Sequence, residues 1–149
     1  MQDVKTSIEV GGVVYPVIFN LNVMELIQSE YGSLDVWGDL TDGETYAMRE
    51  YLSKNPSCDE YDWAELAPEE KAKYKGEPDA RAVIFGFKEM INEGIDIENE
   101  ERMAKGEDLM KELSFKQVGR LITNYGLTKA TQKLNQTVVE STQTNIKNA

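Results

Sequence analysis

The sequence predicts an α+β fold, an N-terminal β-hairpin packed on a mainly helical domain of about five helices. Three observations predict it. Apolar and polar residues alternate from Val4 to Val10, and Gly11-Gly12 then separates them from a second apolar run ending at Phe19. Apolar positions recur at helical spacing through residues 79–93. Elsewhere, capping residues followed three positions later by Glu or Gln, with glycines as stops, divide the chain into further helices.

Two glycines between strand-like runs suit a two-residue turn, because both central positions can take positive φ. That turn sets Val10 opposite Val13, Ile8 opposite Tyr15, Thr6 opposite Val17 and Val4 opposite Phe19, so one face is almost wholly apolar. The other face carries Lys5, Ser7 and Glu9 on the first strand but Val14, Pro16 and Ile18 on the second. Val14 and Ile18 are therefore candidate contact residues, covered either by a local loop or by another subunit. A two-stranded ribbon is marginal alone and needs helices, more strands or a second subunit.

Asn22 followed by Glu25 reads as the start of a helix that Gly32 stops. Ser33 restarts a short turn reaching Trp37-Gly38, and Thr41-Asp42-Gly43-Glu44 opens another helix with Met48, Tyr51 and Leu52 on one side. Pro56, Pro68, Gly76 and Pro78 punctuate a charged segment over residues 54–78, anchored by Tyr61, Trp63, Leu66 and Tyr74. Its aromatic anchors mark an ordered excursion, and Pro68 suits the first position of a short helix.

Ala80, Val83, Ile84, Phe87, Met90 and Ile91 form one stripe, with Gly94 as the expected helix stop. Ala82, Phe85 and Gly86 add a second apolar edge. Either this helix is central, or Phe85 is a docking contact. Ser114 with Gln117 caps a helix ending at Gly126, and residues 127–139 form the last one. Residues 1–140 thus read as one domain (hairpin 1–20, helices 21–53, excursion 54–78, helices 79–140), and residues 141–149 as a flexible tail.

The chain has 149 residues and a net charge of −11, with no His and one Cys. Lack of His excludes imidazole acid–base chemistry, Ser-His-Asp and Cys-His nucleophiles and His-ligated zinc. Acidic neighbours of Cys58 disfavour its thiolate. Neither GxxxxGK[ST] nor GxGxxG occurs, so no cofactor and no enzymatic activity are expected. The acidic run from Asp96 to Glu101 lacks the glycine of a calcium loop and reads as a solvated face, not a metal site. The negative charge disfavours nucleic acid as a partner. No apolar stretch is long enough to span a membrane, and the first residues lack a signal-peptide layout.

Charge is uneven. Residues 113–149 carry a net +4 and residues 1–112 a net −15. Either the basic C-terminal helices pack beside an acidic body, or a bipolar subunit associates head to tail, which makes Lys129 and Lys133 candidate contacts.

Three stretches resemble a known family. Val10-Gly11-Gly12-Val13-Val14-Tyr15-Pro16, then Phe19-Asn20-Leu21-Asn22 and Tyr31-Gly32-Ser33-Leu34, resemble the opening of tail assembly chaperones from long-tailed bacteriophages. Val83-Ile84-Phe85-Gly86-Phe87-Lys88-Glu89-Met90-Ile91 is similar to that family's central helix, and Leu113-Ser114-Phe115-Lys116-Gln117-Val118-Gly119-Arg120-Leu121-Ile122 to a later one. The stretches cover about half the chain in the family's order. Residues 41–78 depart from the pattern, as does the segment from Met103 to Glu112.

The resemblance implies a non-enzymatic assembly factor in the cytoplasm of a bacterial host. It would bind the helical tape-measure protein, help recruit tail-tube subunits and be absent from the finished virion, while a homo-oligomer follows only from the intersubunit reading of Val14 and Ile18 or from head-to-tail charge. Six Met residues either fill the core or line an adaptable surface. The alternative from composition is a small acidic adaptor or inhibitor that mimics nucleic acid.

Overall fold

In a computed structural model, residues 4–74 and 77–147 are described, with the backbone alone for residues 4 and 143–147. Gly76 of the excursion and the last two residues of the expected tail lie outside them. The order is β1 (Val4–Val10), β2 (Val13–Phe19), α1 (Leu21–Tyr31), α2 (Leu34–Thr41), α3 (Gly43–Lys54), α4 (Glu60–Glu65), α5 (Pro68–Lys71), α6 (Ala80–Lys105), α7 (Phe115–Tyr125) and α8 (Leu127–Lys147). The fold is α+β, with eight helices among the described residues where about five were expected. The surplus is short: α2 is a full helix and not a turn, α4 is new, and α5 is a single turn.

The hairpin has the expected register throughout, from Val4↔Phe19 to Val10↔Val13. Gly11 and Gly12 take φ of 60° and 80°, the mirror-image turn whose twist matches the strands. Ile8, Val17 and Phe19 enter the main core, together with Val23, Ile27 and Trp37, the buried stripe of α6, and Val118, Leu121, Ile122, Ala130 and Leu134. α6 touches β2, α1, α2, α7 and α8, so it is the central helix. The basic α7 and α8 pack beside α6 and the hairpin.

Several boundaries move. The first helix is capped by Asn20, whose side chain accepts from the Val23 N–H at 3.2 Å, and not by Asn22. The chain turns into helix straight from Phe19, so the extended residue there takes the capping role. Asp42 caps α3 in place of Thr41. The Thr41 hydroxyl donates back to the Trp37 and Gly38 carbonyls inside α2 and is spent there. Backbone helix continues to Lys147 and Ser141 is buried, so the expected tail is largely an extension of α8.

The largest difference is Gly94. Expected to end the helix, it lies mid-way along α6, which runs 26 residues to a left-handed stop at Gly106. A Cβ on Gly94 would stand 2.8 Å from the Pro16 Cβ and 3.2 Å from its carbonyl carbon. Glycine is there because α6 and β2 approach too closely for any side chain. Gly94→Ala is expected to destabilise by about 1–3 kcal/mol through overpacking, although alanine favours helix by about 1 kcal/mol. A chemical denaturation midpoint that rises in this variant would refute the contact.

Residues between 47 and 74 build a second, smaller core. Ala47, Tyr51 and Trp63 are buried there, with Met48, Leu52, Cys58, Leu66 and Tyr74 packed around them. Tyr51, Trp63 and Tyr74 meet edge-on or tilted at centroid distances of 5.1–6.1 Å. Of the excursion's expected anchors, Trp63, Leu66 and Tyr74 join this core, but Tyr61 takes no part and is 81% exposed.

Candidate partner-binding surfaces

The five residues marked in the sequence do not converge. Val14 is 57% exposed, whereas Ile18 is 2% exposed. Both line a narrow recess of about 110 Å³ with Pro16, Gly94, Ile97 and Glu98. Helix α6 thus stands beside this face, and Ile18 is shut away while Val14 stays open. Phe85 is half-buried, its ring edge-on to Tyr31 of α1 at 5.5 Å. Lys129 is exposed with its Nζ 5.9 Å from the centre of the Tyr125 ring, and Lys133 is half-buried further along α8. Of the methionines, Met90 is fully buried, Met24 and Met48 pack against the two cores, and Met103 is 69% exposed.

Among the described residues one carboxylate oxygen, Oε2 of Glu93, is buried without a hydrogen-bond partner. Glu112 is held above the usual carboxyl range, first by its hydrogen bond with Asp96, then by partial desolvation and the Asp96 charge. It is exposed and lines none of the clefts described here. The acidic run Asp96 to Glu101 is helical, not a loop, and no metal-ligand cluster occurs among the described residues. None of the described helices is long and apolar enough to cross a membrane.

The surface best built for a partner lies elsewhere, between α2 and α8. Leu34, Trp37 and Gly38 from α2 and Val138 and Val139 from α8 line an open cleft of about 490 Å³. Trp37 is buried and forms its base, while Val139 and the neighbouring Val36 are 47% and 48% exposed. The local sequence explains the shape. Ser33 caps α2 through the Val36 N–H at 3.1 Å, and this fixes Leu34 and Trp37 on the inner side of an eight-residue helix.

Asp35, Asp39 and Asp42 rim the same cleft. Asp35 and Asp39 are one turn apart on α2, a like-charge spacing that disfavours the helix by a few tenths of a kcal/mol. Asp39 also sits in the last turn, where the helix dipole opposes a negative charge. Its ion pair with Arg49 is long, 4.0 Å, and exposed on both sides. An apolar floor with an acidic rim fits an apolar stripe flanked by Lys or Arg. The signal for it was present in Leu34-Asp35-Val36-Trp37, where three large apolar residues crowd a short acidic helix.

Comparison of the chain with protein-family models, with curated proteins and with solved structures gives no match.

Proposed function

We propose that this protein is a non-enzymatic tail assembly chaperone of a long-tailed phage or prophage, which binds the tape-measure protein and helps recruit tail-tube subunits in the host cytoplasm. One observation carries the reading. The three stretches that resemble the family, in the hairpin and α1, in α6 and in α7, pack against one another as the main core. Of the two stretches that depart from the family pattern, the longer forms its own core around Tyr51 and Trp63, and the shorter lies along α6 with Met110 against the main core. A shared scaffold with a locally packed insertion and a docked connection accounts for these facts.

A chaperone for a long helix with apolar stripes needs an accessible apolar groove and enough charge to keep the complex in solution. The α2–α8 cleft supplies the groove, and its aspartates select a stripe bordered by basic residues. The test is co-expression with the large helical protein encoded nearby, followed by co-purification and light-scattering mass. A client that is insoluble alone and co-elutes with the wild-type chain is expected. Val139→Asp together with Val36→Asp is expected to weaken that complex by about tenfold or more, with unchanged circular dichroism, since both residues are exposed. A client that is soluble alone and forms no complex overturns the proposal. Binding that ignores the valines but collapses with salt favours the acidic-adaptor reading.

A further inference from the structure

We infer that the free edge of β1 pairs with the same edge of a second copy, making a four-stranded antiparallel sheet across a two-fold axis centred on Ser7. The inference rests on the hairpin alone and does not depend on the tail-assembly reading.

The turn decides which backbone groups of β1 face outward. With Gly11-Gly12 as a two-residue mirror-image turn, Val10↔Val13 is a hydrogen-bonded pair. Alternation then makes Ile8↔Tyr15 and Thr6↔Val17 hydrogen-bonded, and Glu9↔Val14, Ser7↔Pro16 and Lys5↔Ile18 not. Pro16, which has no N–H, falls at one of the positions that needs none, which supports the assignment independently. The N–H and C=O groups of Lys5, Ser7 and Glu9 consequently point away from β2.

The two edges of the ribbon differ. On the β2 side, α6 packs against Pro16 at Gly94, whereas β1 is approached by α7 and α8, which share the main core with Ile8. Among the described residues the sheet has no third strand, and Lys5, Ser7 and Glu9 are all exposed. Among the described residues none of the three has a hydrogen bond or ion pair outside the hairpin. Six backbone polar groups thus form a strand template facing solvent.

The edge is also complementary to itself. An antiparallel partner centred on Ser7 sets Lys5 opposite Glu9 of the second copy, Ser7 opposite Ser7 and Glu9 opposite Lys5, and all six outward groups of each strand find partners. Centring the axis on Lys5 or on Glu9 would oppose like charges, and a parallel pairing would set lysine beside lysine. Charges on a strand edge usually serve to repel other strands. Here opposite signs two positions either side of a small residue favour the Ser7-centred register, which makes two opposite-charge pairs where an axis on Thr6 or on Ile8 sets Ser7 against a charge. The contact is isologous and closes at two copies. It is smaller than a standard interface of about 1,200–2,000 Å², so the dimer depends on concentration.

The test is sedimentation velocity of the full chain across about two decades of concentration at low salt. A shift from monomer to dimer is expected. Lys5→Glu alone and Glu9→Lys alone each set like charges opposite one another and are expected to weaken the dimer by about tenfold or more. The combined variant K5E/E9K restores opposite pairing and is expected to return the mass to wild type. All these residues are exposed, so folding, read by circular dichroism, is unchanged. A chain that stays monomeric throughout overturns the inference. So does a dimer indifferent to both single reversals, and so does a combined variant that fails to recover.

Discussion

Replacing Trp37 by alanine is expected to lower unfolding stability by about 3–5 kcal/mol, the largest effect of any single truncation in this chain. Trp37 heads the fully buried side chains by volume, and its indole N–H donates to the Ala82 carbonyl of α6 at 3.0 Å. The partner half of this contact is Gly86, one turn further along α6. A Cβ there would collide with the Trp37 ring and lie 3.2 Å from the Leu134 Cδ1 of α8. Gly86→Ala is therefore expected to destabilise by about 1–3 kcal/mol in the wild-type background despite the better helix propensity of alanine. In the Trp37→Ala background the same substitution meets a cavity and is expected to be neutral, or to stabilise by up to about 1 kcal/mol. The sign change is the test, because two residues that did not touch would give additive effects. Denaturant melts of the two single variants and the combined one suffice, and simple additivity would sink the account. Since Trp37 also floors the α2–α8 cleft, its loss is expected to abolish client binding even at temperatures where the variant remains folded.

What could be read in advance was whatever local chemistry decides alone. The hairpin register follows from two glycines and strict alternation, and the Ser114–Gln117 capping box is present with both reciprocal hydrogen bonds, 2.8 and 3.2 Å. The central position of α6 follows from apolar residues on more than one side. What escaped was set by distant partners. Gly94 has the local character of a stop, and only the approach of Pro16 from the hairpin keeps it inside a helix. Val14 and Ile18 share a strand face by period, yet α6 leaves one open and shuts the other away. The α2–α8 cleft joins residues about a hundred positions apart, so no window of sequence contains it. Its apolar residues were visible, but not what they would face.

The second large effect concerns the segment between α6 and α7, which carries neither helix nor strand yet is tightly held. Asn92 bonds both backbone groups of Leu113, donating to its carbonyl at 2.9 Å and accepting from its N–H at 2.8 Å. Asn99 does the same for Met110, at 2.9 and 2.8 Å. Arg102 then donates to the Asp108 carbonyl at 3.2 Å. The two asparagines are two helical turns apart, about 10.5 Å at 1.5 Å per residue. The three residues from Met110 to Leu113 span about 9–10 Å when extended, so helix and strap share a repeat. Met110 and Leu113 can then press into the main core while their polar backbone groups are satisfied. Asn92→Ala leaves a partly buried N–H and C=O without partners and is expected to cost about 2–6 kcal/mol, at about 1–3 kcal/mol for each orphaned group. Asn99→Ala, nearer the exposed end, is expected to cost less. The double variant is expected to release the strap before the core unfolds, read as lost amide protection over residues 107–113 and new proteolytic cleavage there. If protection of that segment persists in the double variant, then packing of Met110 and Leu113 holds the strap and the asparagines merely accompany it. Sequence alone shows two asparagines on an acidic helix, which a solvated face explains equally well. Only the matched repeat of helix and extended chain turns them into a clamp.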